Sequence, residues 1–157
     1  MPEDGGIPAS FGMQAAEKTY VTWEMIVRNP GGHSSRPRGD NAIYDLSNAL
    51  VKIQNYQFPV NYNNLTLAFF QGIGKRTEGA LGKAMRDFSI NPDNEAAIAE
   101  LRSHSSYVGT TVTTCVATML KAGHAENALP QSAVATINCR VFPGTGVDDT
   151  LAQLKQV

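Results

Sequence analysis

The order of elements along this 157-residue sequence predicts an α+β fold built on an antiparallel sheet. Residues 17–28, EKTYVTWEMIVR, alternate, so that Val21, Trp23, Met25 and Val27 share one side and Tyr20, Thr22, Glu24 and Arg28 the other, the pattern of a half-buried strand. Residues 132–142, SAVATINCRVF, do the same: Ala133, Ala135, Ile137, Cys139 and Val141 form an apolar face opposite Thr136, Asn138 and Arg140. Amphipathic helical stretches separate and follow these runs. The resulting order (strand, helix, insertion, strand, strand, helix) lacks only a last strand to complete the β-α-β-β-α-β unit of ferredoxin-like folds, with two helices on one face of the sheet.

The elements follow from local signals. After the first strand, the NPGGHSSRPRG turn leads to Asp40, a predicted N-cap, and to Ile43, Leu46, Leu50 and Ile53 at helical spacing. Residues 56–108 read as a helical insertion. Pro59 and NYNN break structure there, LTLAFF fits a short strand or a buried helical turn, and GALGKAMRDF and NPDNEAAIAELRSH fit helices. Asp93 is the expected cap of the latter, with Ala97, Ile98 and Leu101 on its apolar face. TTVTTCVATML, rich in β-branched residues, is the next strand. After PGTG, Asp148 is expected to cap a final helix carrying Leu151 and Leu154. With no strand after that helix, the chain reads as a piece of something longer or a domain bounded short: 1–14 a tail or linker, 15–157 one domain.

Composition excludes several classes. With 13 basic and 14 acidic residues and a net charge of −1, no global field attracts nucleic acid or an anionic membrane. The N-terminus carries two acids rather than a basic segment before an apolar run, and no stretch reaches membrane length, so the chain reads as soluble. Cys115 and Cys139 lack zinc spacing and read as reduced core residues in preference to a structural disulfide, leaving a cytoplasmic or a periplasmic or secreted location open.

Three residues are candidates for chemistry. His33 lies in a polar turn behind Gly31 and Gly32. Pattern alone favours a turn histidine with local hydrogen bonds, while the glycines permit an imidazole held at a strand end to donate to a developing oxyanion. Arg140 on the polar strand face and Asn127 in AENALP together suit a carboxylate, a guanidinium fork and an amide meeting two acceptor oxygens; a solvated arginine and a turn asparagine are the plain alternatives. Arg38-Gly39-Asp40 is better explained as a turn and helix start than as an adhesion tripeptide. GIGKRTEG lacks phosphate-loop spacing. His104, His124, Glu17 and Lys18 read as loop, helix-end or exposed strand-opening residues, and Ser34 and Ser35 lack a histidine-acid set beyond His33.

AAEKTYVTWEMIVRNPGGHSSRPRGDNAIYDLSNAL and AENALPQSAVATINCRVFPGTGVDD closely resemble the lid, or dimerisation, domain of the zinc-dependent exopeptidase and aminoacylase family, which includes carboxypeptidase S, glutamate carboxypeptidase, aminoacylase and succinyl-diaminopimelate desuccinylase. Residues 56–108 match only as an insertion of the kind seen in the carboxypeptidase S-like branch, and EDGGIP looks like the tail of a catalytic domain. The resemblance implies a homodimeric parent whose catalytic domain holds two zinc ions and cleaves a peptide or N-acyl amino acid bond beside a free carboxylate. It implies that His33 reaches a partner subunit's active site to stabilise the oxyanion, and that Asn127 and Arg140 bind the substrate carboxylate. No His-x-Asp motif, adjacent Glu pair or C-terminal histidine ligand is present, so the chain alone is expected to hold no metal and to be inactive. The alternative is a free-standing dimeric module that binds a carboxylate without catalysis; a purely structural dimerisation domain is a third reading.

Overall fold

A computed structural model describes residues 16–157, so the expected tail at 1–14 lies outside the described residues. Strand β1 (Thr19–Arg28) leads through the two-residue β2 (Gly32–His33) into helix α1 (Ala42–Asn55). Helices α2 (Asn64–Gly74), α3 (Gly79–Ile90), α4 (Glu95–Ser103) and α5 (Ser105–Thr111) follow, then β3 (Thr114–Ala122), β4 (Ala128–Leu129), β5 (Ser132–Val141) and α6 (Val147–Gln156).

Alternation in the sequence becomes an antiparallel sheet of order β1-β5-β3. β1 pairs with β5 over its whole length, Thr19 opposite Val141 and Arg28 opposite Ser132. β3 pairs with the other side of β5, with a register shift between Ala117 and Met119 that leaves Thr118 unmatched. The inward residues of β5 are completely or almost completely buried beneath Ala42, Leu46 and Ile53 of α1, with Val21, Trp23, Met25 and Val27 beside them. Leu154 of α6 joins the same core, so both helices cover one face, as the sequence predicts. Among the described residues nothing packs on the opposite face, where Tyr20, Ile26 and Met119 are exposed.

The insertion is helical throughout, which resolves LTLAFF as part of α2. It has its own core: Phe70, Met85, Phe88 and Leu101 are fully buried, with the Phe70 and Phe88 rings edge-on at 5.4 Å. Each such side chain contributes about 2 kcal/mol by leaving water. The insertion leaves and returns at one place, where Val60 bridges Val112 and the Asn61 amide donates to the Thr111 carbonyl at 2.7 Å.

Four expectations need correction. Asn41, not Asp40, caps α1, its Oδ1 accepting from the Ile43 amide at 2.9 Å, because both oxygens of Asp40 are already engaged elsewhere. Asn94, not Asp93, caps α4 by accepting from the Ala97 amide. Helix α6 starts after Gly146 without a side-chain cap, and Asp148 lies in its first turn, where a carboxylate still favours the positive end of the helix dipole. Finally, Cys115 and Cys139 are not free: they face each other across β3 and β5 and form a disulfide.

Candidate functional site

The Asn29–Asp40 loop is closed by its own side chains. The Asn29 Oδ1 accepts from the Gly31 amide at 2.9 Å, and its Nδ2 donates to Asp40 Oδ2 at 3.0 Å. Arg38 grips the same carboxylate with two parallel bonds of 2.8 and 2.9 Å. These hydrogen bonds hold the Asp40 carboxyl below the usual carboxylate range. Arg38-Gly39-Asp40 is therefore internally paired: the arginine and the aspartate of the tripeptide bind each other.

The far side of the loop is held by β4. The Asn29 amide donates to the Gln131 carbonyl at 2.9 Å and carries the β1–β5 ladder one step beyond the strand. Gly32 then pairs with Leu129 and His33 with Ala128, and the Ser34 amide donates to the Asn127 carbonyl at 3.0 Å. Gly31 makes this approach possible. It has φ 77°, and an added Cβ would sit 2.8 Å from the Gln131 side chain. His33 and Asn127, 94 positions apart in sequence, thus stand side by side at one end of the molecule.

The imidazole has a defined polarity. The Ser35 backbone amide, which can only donate, points at His33 Nδ1 at 3.2 Å, and the Ser35 hydroxyl lies 2.8 Å from the same atom. Nδ1 is therefore the acceptor of the neutral ring, and the proton resides on Nε2. The side chain is exposed, so this N–H is open to an acceptor outside the loop. Sequence reading missed Ser35 and Asn29 as the residues that fix the imidazole and the loop; the serine two places after the histidine and the asparagine before the proline were the available signals.

Arg140 lies elsewhere. It pairs with Tyr20 at the opposite end of β5, about 27 Å along the strand from Ser132 at a typical antiparallel rise. Its guanidinium sits over the Tyr20 ring, 4.7 Å from the centroid. Arg140 and Asn127 of one copy do not converge. Beside Arg140, Lys18 is half-buried rather than exposed as its position at the strand opening suggests, its Nζ donating to the Val112 carbonyl at 2.5 Å. Burial, reinforced by the Arg140 charge, lowers its pKa to about 8.

Among the described residues no three His, Cys, Asp or Glu side chains come together to hold a metal ion, so these residues do not fit a zinc site. No helix of the described residues is long and apolar enough to cross a membrane.

Against known families, residues 15–157 match the family described as "Peptidase dimerisation domain". The chain belongs to that family. The dimerisation domain is 27% identical over 136 residues to an N-fatty-acyl-amino acid synthase/hydrolase from Xenopus tropicalis, covering 86% of this chain and 26% of that protein. It is 30% identical over 149 residues to the protein named "Probable carboxypeptidase S-like 2" from Dictyostelium discoideum, covering 95% of this chain and 28% of that one. The chain thus spans about a quarter of the length of these curated relatives. An M20 family metallo-carboxypeptidase from Sulfolobus solfataricus shares the fold, with a TM-score of 0.53 at 16% identity, over 89% of the dimerisation domain and 39% of that chain.

Proposed function

We propose that this dimerisation domain serves a zinc-dependent metallopeptidase or amidohydrolase that cleaves a peptide or N-acyl amino acid bond beside a free carboxylate, and that it acts in trans. The observation that carries this reading is the His33 tautomer. With Nδ1 occupied by the Ser35 amide, the exposed Nε2–H is a ready donor to an anion outside its own domain. When a nucleophile adds to the scissile carbonyl, charge gathers on the carbonyl oxygen, and the Nε2–H donates to it without transferring its proton. Two zinc ions would lie in the catalytic domain of such an enzyme and would supply the Lewis acid there.

The carboxylate-binding roles divide between copies. Asn127 stands with His33, and both would enter the partner's site together; Arg140, at the other end of β5, would meet the carboxylate from its own side. We infer that the domain works as a homodimer. Its surface is the free edge of β3, where Val116 and Leu120 are 57% and 65% exposed, and Val51 of α1, 53% exposed, lines one depression with Val116. An unpaired strand flanked by exposed apolar side chains favours a second strand.

The test is kinetic, on the full-length enzyme that contains this domain. His33→Ala lowers kcat for amide hydrolysis by about 100-fold or more while KM moves little, as loss of one oxyanion donor does. An unchanged kcat overturns the reading in favour of a module that binds or dimerises without catalysis.

A further inference from the structure

A groove of about 510 Å³ opens between the start of β1, the first turns of α2, the end of α5 and the segment after β5. That volume is within the range of small-molecule sites. Its lining is chemically mixed. Leu65 and Phe69, four residues apart on the same face of α2 and 50% and 40% exposed, give it apolar surface, to which Phe142 and Pro143 add. Lys18 gives it a cation, with the Arg140 guanidinium, outside the lining, close enough to act on its charge. Glu17 is the one acidic residue among the described residues lining the groove.

We propose that this groove binds a carboxylate that carries an apolar tail, its head on the Lys18 ammonium and its tail along Leu65 and Phe69. Charge complementarity selects the head. The ammonium has three donors, and the Val112 carbonyl accepts from one of them. The half-buried Lys18 already tolerates a neighbouring guanidinium, and an anion there relieves the repulsion between the two cations. The exposed leucine and phenylalanine select the tail, because covering them removes apolar surface from water. Neither His33 nor Asn127 borders the groove, so the site goes beyond the oxyanion reading and stands without it.

The groove also predicts a proton. Because Lys18 has a pKa of about 8 in the free protein, a carboxylate set against it raises that value, and binding at pH 8.5 takes a proton from the buffer. The experiment is titration calorimetry of the protein with dodecanoate, below its critical micelle concentration, in two buffers of different ionisation enthalpy. Dodecanoate is expected to bind with net proton uptake, dodecanol more weakly and with none, and acetate more weakly again. Lys18→Met is expected to weaken dodecanoate about tenfold and abolish the proton uptake. Phe69→Ser, which leaves the Lys18–Val112 bond in place, is expected to weaken binding while keeping the uptake. Equal affinity of the wild type and Lys18→Met, absence of proton uptake, or no dodecanoate binding to the folded wild type each overturns the proposal. Because no hydrolysis is measured, these outcomes are independent of the fate of His33→Ala.

Discussion

Breaking the Cys115–Cys139 bond is the perturbation whose size follows most directly from the structure. The two cysteines are 24 positions apart and closed across neighbouring strands, so the bond removes loop freedom from the unfolded chain. Chain-entropy reasoning for a loop of that length gives ~3.5 kcal/mol at 25 °C. Spread over the unfolding entropy of a chain of this size, the loss lowers Tm by about 10 °C. The assay is thermal unfolding followed by circular dichroism, with and without a phosphine reductant, and repeated on Cys115→Ala/Cys139→Ala. The native protein should also give no reaction with a thiol reagent until it is unfolded and reduced. A Tm that moves by less than about 2 °C in both reduced protein and double variant would refute the reasoning, since the bond would then constrain nothing that the sheet does not already hold.

Other expectations are equally direct. Gly31→Ala puts a Cβ at φ 77° against Gln131 and should cost about 1–2 kcal/mol from the backbone alone; urea unfolding measures it, and an unchanged midpoint would count against the close approach of the loop to β4. Leu120→Asp together with Val51→Asp should convert a dimer into a monomer by analytical ultracentrifugation without changing the circular dichroism spectrum; a dimer that survives both charges is not formed through β3. Lys18 should leave a mark on stability against pH. Its folded pKa of about 8 lies below its unfolded value of 10.5, so between these pH values the unfolded chain binds more protons and Lys18 makes stability rise with pH. The difference in urea midpoint between wild type and Lys18→Met should therefore change from pH 7.5 to pH 9.5 in favour of the wild type, and a constant difference would argue that Lys18 is not perturbed.

The sequence makes some levels of this structure visible and hides others. Period-two alternation in β1 and β5 identifies the inward residues correctly because a strand's two faces are written in successive letters, from Val21 to Val27 and from Ala133 to Val141. Caps are less visible. Asp40 and Asn41, or Asp93 and Asn94, are equally good capping residues, and which one is used depends on whether the other has a competing partner, as Asp40 has in Arg38 and Asn29. The disulfide was hidden because it depends on register. Nothing in the spacing of Cys115 and Cys139 says that they fall opposite each other until β3 and β5 are aligned. The candidate residues stand out one by one in the sequence, but their arrangement does not. His33, Asn127 and Arg140 are each marked by their surroundings, but that the first two adjoin while the third lies at the other end of β5 follows only from the ladder that Asn29 and Gln131 extend.

The doorway formed by Val60 and Val112 has a consequence for how such a protein can diversify. A segment that departs and comes home through one opening, and that fills its own interior with Phe70, Met85, Phe88 and Leu101, can be lengthened, trimmed or exchanged while β1, β5 and the His33 loop keep their places. The wall that α2 presents to the groove at Lys18 belongs to that exchangeable part; the imidazole belongs to the fixed part. The proposed ligand preference and the proposed catalytic assistance can therefore drift on separate clocks within a single domain.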